Sequence, residues 1–80
     1  MRLDKYLKVS RIIKRRTVAN EACDAGRVLV NGRPARASYE VKEGDELEIR
    51  LGQAPLRARI TAVNEYAQKN DAKLMYQILD

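Results

Sequence analysis

Val28-Leu29-Val30 running into Asn31-Gly32 constrains this chain more than any other stretch. Three strand-forming residues followed by Asn-Gly call for a two-residue turn with positive φ at both positions, the geometry of a type I′ hairpin. Gly26, just upstream, stands where a helix coming from Lys14 needs a left-handed stop. The chain therefore has to pass from helix to hairpin within a few residues. Helices are expected before Gly26 and sheet after it, which makes an α+β domain.

The flanking patterns agree. Leu3, Tyr6 and Leu7 recur at i, i+3, i+4, the mark of a short amphipathic helix over residues 2–9, with Lys5 and Lys8 on another face. Ser10 to Ile13 reads as a connection with two buried isoleucines. A second helix is expected over Lys14 to Ala25, with Val18, Ala19, Ala22 and Cys23 as its inner stripe. After the turn, Arg33 to Ala37 returns as a strand that Pro34 confines to a sheet edge. Tyr39 and Val41 continue extended, and Glu43-Gly44-Asp45 turns. Leu47, Ile49 and Leu51 then alternate with Glu48 and Arg50, and Leu56, Ala58, Ile60 and Ala62 alternate with Arg57, Arg59 and Thr61. Beyond Asn64 the pattern leaves two readings open: a helical turn or loop over Glu65 to Lys73, and a last strand or a helix end over Met75 to Leu79.

Eighty residues make one domain, spanning 1–80. Such a chain buries only about 60–65% of its unfolded surface, so its core is thin. With no Trp or Phe, that core must be built from Leu, Ile, Val, Ala and four Tyr. A single cysteine excludes an internal disulfide, and the absence of histidine argues against zinc and leaves a poor acid–base repertoire. No cofactor, no metal and no catalytic residue is expected. No stretch has the length and apolarity of a signal or a membrane span, so a cytoplasmic, membrane-free setting is expected.

Charge is distributed very unevenly. Up to Arg16 the cations are Arg2, Lys5, Lys8, Arg11, Lys14, Arg15 and Arg16 against Asp4 alone, a net +6, while the remainder carries −1. A concentrated surplus makes a field that captures polyanions. Lys14, Arg15 and Arg16 moreover sit where the second helix starts, opposing its dipole, and no Ser, Thr, Asp or Asn stands there as a cap. Stability alone would not choose that arrangement, and a bound anion would reverse its sign. The seven cations are therefore the candidate RNA contacts, joined by Asn31 at the hairpin tip. Asp4 is expected to be structural, capping the first helix or orienting a nearby Arg. Arg57 and Arg59 are expected to face water, and Tyr6, Tyr39 and Cys23 to be buried.

Arg2-Leu3-Asp4-Lys5-Tyr6-Leu7, then Arg16 and Ala19, then Gly26-Arg27-Val28-x-Val30-Asn31-Gly32, Tyr39-x-Val41 and Gly44-Asp45-x-Leu47 together resemble the S4 RNA-binding domain. The resemblance covers about residues 1–51 and leaves 52–80 as a C-terminal strand and tail. It implies the αL-type arrangement, a helix pair followed by a small antiparallel sheet, with RNA contacted by the helices and hairpin region. Many S4 domains carry Ser directly before the Arg matching Arg16; here Arg15 stands there, losing a helix cap and enlarging the patch.

Arg11…Lys14-x-Arg16 resembles stand-alone S4 proteins of the large ribosomal subunit, and the length, opening residues, Val9-Ser10-Arg11 and Met75-Tyr76-x-Ile78-Leu79 are similar to the short (RqcP-like) group of bacterial ribosome-associated quality control. That group implies a monomeric, non-enzymatic factor gripping large-subunit ribosomal RNA and peptidyl-tRNA, while a tailing factor delivers aminoacyl-tRNA to extend the stalled chain. Two alternatives remain within RNA binding: a heat-shock S4-type recycling factor, whose long basic C-terminal extension has no counterpart here, and a general rRNA-binding or ribosome-assembly protein. S4-bearing enzymes use large separate catalytic domains for which this chain has no room. A protein-interaction module contacting partners through Glu40 to Glu48 is the third class.

Overall fold

The computed structural model describes residues 1–79. Helix α1 spans Leu3–Val9 and α2 spans Arg16–Asp24. Strands β1 (Val28–Val30) and β2 (Arg33–Pro34) form the hairpin, followed by β3 (Glu46–Ile49) and β4 (Leu56–Ile60). A single helical turn, α3 (Lys69–Ala72), leads into β5 (Tyr76–Ile78). The five strands form one antiparallel sheet in the order β2-β1-β3-β4-β5.

The hairpin turn has φ 52° at Asn31 and 84° at Gly32, both positive as a type I′ turn requires. Gly26 ends α2 with φ 78°. Nothing lies within 4 Å of where a Cβ on Gly26 would stand. The glycine is thus required by torsion rather than by space, and Gly26→Ala is expected to cost about 1 kcal/mol, measured by urea unfolding.

One face of the sheet packs under the two helices. Leu3, Tyr6 and Leu7 of α1 meet Ala19, Ala22 and Cys23 of α2, and both rest on Val28, Val30, Leu47, Ile49 and Ile60. The small residues of α2 let the helices approach closely. Burial pushes the Cys23 thiol up to about 12, with the carboxylates of Asp4 and Asp24 adding to the rise. The opposite sheet face carries charge in register: Glu46 lies opposite Arg59, and Glu48 opposite Arg57. Arg59 reaches Glu46 at 3.3 Å.

Five expectations are corrected. Tyr39 is only partly buried, because its hydroxyl reaches out to Asp45 at 3.1 Å. Helix α2 begins at Arg16, so Lys14 and Arg15 precede it, and only Arg16 opposes its dipole from within the first turn. Val18 is 41% exposed, because the stripe facing α1 is set by Ala19, Ala22 and Cys23, and Val18 sits one step round the helix. Ile13 is buried, but Ile12 only in part. The return strand ends at Pro34, apart from one further bond from Ala35 N–H to the Val28 carbonyl. The tail, left open by its sequence, resolves into α3 and a strand, because β4 offers a free edge that Tyr76–Ile78 fills. The Tyr6 hydroxyl ties that tail back to α1 by donating to the Met75 carbonyl at 2.7 Å.

Candidate nucleic-acid interface

Asp4 is the centre of the site. Its side chain is almost wholly buried at the edge of the helix pair. Arg2 donates to it through Nε (3.2 Å) and Nη2 (3.4 Å), and Arg16 through Nη2 (3.4 Å). Asn20 Nδ2 adds a bond at 3.2 Å and the Lys5 backbone N–H one at 2.8 Å. Desolvation pushes this carboxyl upward, but the bonds from Asn20, Arg16, Lys5 and Arg2 outweigh it and hold it below its ordinary value. The free N–H groups of Leu3 and Asp4 in the same turn donate to the carbonyls of Tyr39 and Ala37. Asp4 thus fills both structural roles expected of it, taking the Lys5 N–H of its own helix and orienting two arginines.

Arg2 and Arg16 are held from the protein side, yet their side chains remain 49% and 48% exposed. Guanidinium carries five N–H donors in a fixed fork, so several remain directed to solvent. The start of α2 lies beside them: Arg15 is its N-cap residue, extended at φ −120°, with no side-chain cap bond, and no acidic residue occupies the first turn. Pinned guanidinium groups beside an uncapped helix start can receive a phosphate without first being ordered.

The remaining cations fall into groups. Lys8, Arg11 and Lys14 line one recess. Lys5 stands beside Glu65 at 3.6 Å, so part of its charge is compensated. Asn31 does not join the helix cations. Its Nδ2 donates to Asp45 Oδ1 (3.1 Å) while its Oδ1 accepts the Glu46 N–H (3.0 Å), which locks the hairpin tip to the turn before β3. Asp45 is also bound by the Tyr39 hydroxyl at 3.1 Å. Both polar ends of the Asn31 side chain are engaged within the fold.

Two kinds of residue escaped sequence reasoning. Asn20 completes the shell of Asp4, and its place four residues after Arg16 on one helix face was the available signal. Arg33 and Arg36 line a groove of about 700 Å³ beside Asn31, Ser38 and Tyr39. Their signal, two cations flanking Pro34-Ala35 straight after the turn, was masked by the nearly neutral balance of the rest of the chain.

A family model described as the S4 domain matches residues 1–47. The chain belongs to the S4 domain family. Its S4 fold places the two helices and the hairpin as the resemblance implied. The chain is 55% identical over 78 residues to a protein of Halalkalibacterium halodurans named RQC P-site tRNA stabilizing factor, covering 98% of this chain and 89% of that protein. A Bacillus subtilis protein of the same name is 51% identical over 79 residues, covering 99% and 92%. Among solved structures, Vibrio cholerae heat shock protein 15 superposes with a TM-score of 0.91 at 28% identity, over 99% of this chain and 81% of that one. Among the described residues, no helix is long and apolar enough to cross a membrane.

Proposed function

We propose that this S4 domain is a non-enzymatic RNA-binding factor of ribosome-associated quality control. It binds large ribosomal subunits obstructed by peptidyl-tRNA, contacts ribosomal RNA and tRNA, and steadies that tRNA while a tailing factor extends the stalled chain. The observation that carries the reading is the pinned pair Arg2 and Arg16, half exposed over a buried Asp4. The proposed contacts are Arg2, Lys5, Lys8, Arg11, Lys14, Arg15 and Arg16, with Asn31 shaping the hairpin tip through its bonds to Asp45 and Glu46. Near-full-length similarity to proteins named for stabilizing P-site tRNA supports the choice of partner. The fold match to heat shock protein 15 supports a recycling role as the second reading, at much lower identity.

Co-sedimentation over a salt series tests it, using empty large subunits, large subunits carrying peptidyl-tRNA, and whole ribosomes. Preference for the peptidyl-tRNA-bearing subunit is expected, falling steeply as salt rises. Arg16→Ala is expected to weaken binding by about 5- to 150-fold, on the order of 1–3 kcal/mol for an oriented arginine. Equal binding to all three samples would reduce the role to general ribosomal RNA binding. No binding to any of them would overturn the reading.

A further inference from the structure

The cations of the N-terminal patch differ in what balances them. Arg2 and Arg16 share Asp4, and Lys5 has Glu65. Among the described residues, Lys8, Arg11, Lys14 and Arg15 form no ion pair. The first three line a recess of about 430 Å³ at the C-terminal end of α1. Like charges gathered without an acid repel one another, and solvent screening only partly relieves the cost.

The backbone adds a second observation. Arg11 has φ +64°, in the left-handed region. It follows Ser10, the C-cap of α1, where a glycine is the unstrained choice. A β-carbon there costs about 1–2 kcal/mol. The chain thus places a long cation where strain and repulsion both oppose it. The left-handed turn carries residue 11 out of the helix and into the recess that Lys8 and Lys14 share. Strain of this kind persists where the surrounding structure holds it, and it gathers at sites that bind.

We propose that Lys8, Arg11 and Lys14 form a phosphate-binding subsite that acts independently of the Arg2–Arg16 pair. Resting on the RNA-binding reading above, it divides the basic patch into an Asp4-centred grip at the start of α1 and a recess at its end, the helix between them being seven residues and about 10 Å long. The Asp4-centred grip presents oriented guanidinium donors. The recess presents unpaired positive charge suited to a run of backbone phosphate. A chain with two such grips can hold two stretches of RNA backbone at once.

Arg11→Gly separates strain from function, because glycine accepts the same backbone without strain while the whole side chain, guanidinium group included, is removed. Its melting temperature is expected to equal or exceed that of the unaltered chain. Its binding to peptidyl-tRNA-bearing large subunits is expected to weaken, with the slope of log affinity against log salt shallower by about 0.7–0.9. The Lys8→Ala, Arg11→Gly, Lys14→Ala triple variant should lose about 2 from that slope. Combined with Arg16→Ala, the fold-losses should multiply, as for independent sites. An unchanged slope in the triple variant, or losses that fail to multiply, would overturn the subsite while leaving the RNA-binding reading intact. Titration of the free chain with tripolyphosphate, followed by amide chemical shifts, examines the recess without the ribosome. Shifts centred on Lys8, Arg11 and Lys14 that disappear in the triple variant support it, and their absence overturns it even if the ribosomal partner proves to be another.

Discussion

Replacing Asp4 by alanine is expected to lower the melting temperature by about 10 °C and to weaken RNA binding more than loss of either arginine alone. The reason is that one buried carboxylate serves four donors on two helices. Charge-assisted hydrogen bonds contribute about 1.5–3 kcal/mol when broken at a buried site. The released arginines can turn to water, which keeps the loss near the lower part of that range. In a domain of this size each kcal/mol moves the midpoint by roughly 4–8 °C. Binding suffers further because Arg2 and Arg16, no longer pinned, must be ordered by the RNA at a cost of about 0.5–1.5 kcal/mol each.

Thermal unfolding of Asp4→Ala alongside Arg2→Ala and Arg16→Ala checks the ranking, with salt-dependent binding measured on the same proteins. The pH dependence supplies a separate check. The native carboxyl lies below its ordinary value of 3.8, so its stabilisation is complete above that value and is lost as pH falls through the lower native one. Asp4→Asn should therefore show a smaller loss of stability below about pH 4 than the unaltered chain. An identical acid profile would mean that the arginines do not hold Asp4 charged.

Tyr6→Ala is expected to leave the chain largely unfolded at 37 °C. Tyr6 is the largest wholly buried side chain, in a core with no Phe or Trp. Truncating a buried aromatic costs about 3–5 kcal/mol, most of what a domain this small has. Tyr6→Phe should be far milder, near 1 kcal/mol, because the Met75 carbonyl still accepts the N–H groups of Thr61 (2.8 Å) and Ala62 (3.3 Å). What the phenylalanine variant gives up is the tie between α1 and the tail. Hydrogen exchange should accordingly quicken first at amides of β5 and its approach, Leu74 to Leu79, while β1 and β3 remain protected. Circular dichroism on Tyr6→Ala and exchange on Tyr6→Phe distinguish lost packing from the lost tie.

Much of this molecule is legible from neighbouring residues alone. The spacing of Leu3, Tyr6 and Leu7 determined α1 and its buried face, Asn31-Gly32 determined the hairpin, and alternation determined β3 and β4. Seven cations against a single acid before Thr17 marked the candidate interface. Each of these signals is local: a helix or strand period, a turn torsion or a charge density is written within a few residues and survives any packing around it.

Contacts between distant segments were decided by the tertiary structure. Asp4 takes the Lys5 N–H of its own helix, and only the approach of α2 made it also the holder of Arg16 and Asn20. Val18 reads as core by hydropathy and faces outward because smaller neighbours make the close contact. Tyr76 to Ile78 suits a helix end or a strand, and the open edge of β4 chose the strand. The division of the basic run into a pinned pair and an unpaired recess depends on where each side chain finds, or fails to find, an acid. That pairing is settled by the geometry of the folded chain, because charges far apart in sequence interact strongly only once folding has brought them together and taken one of them out of water.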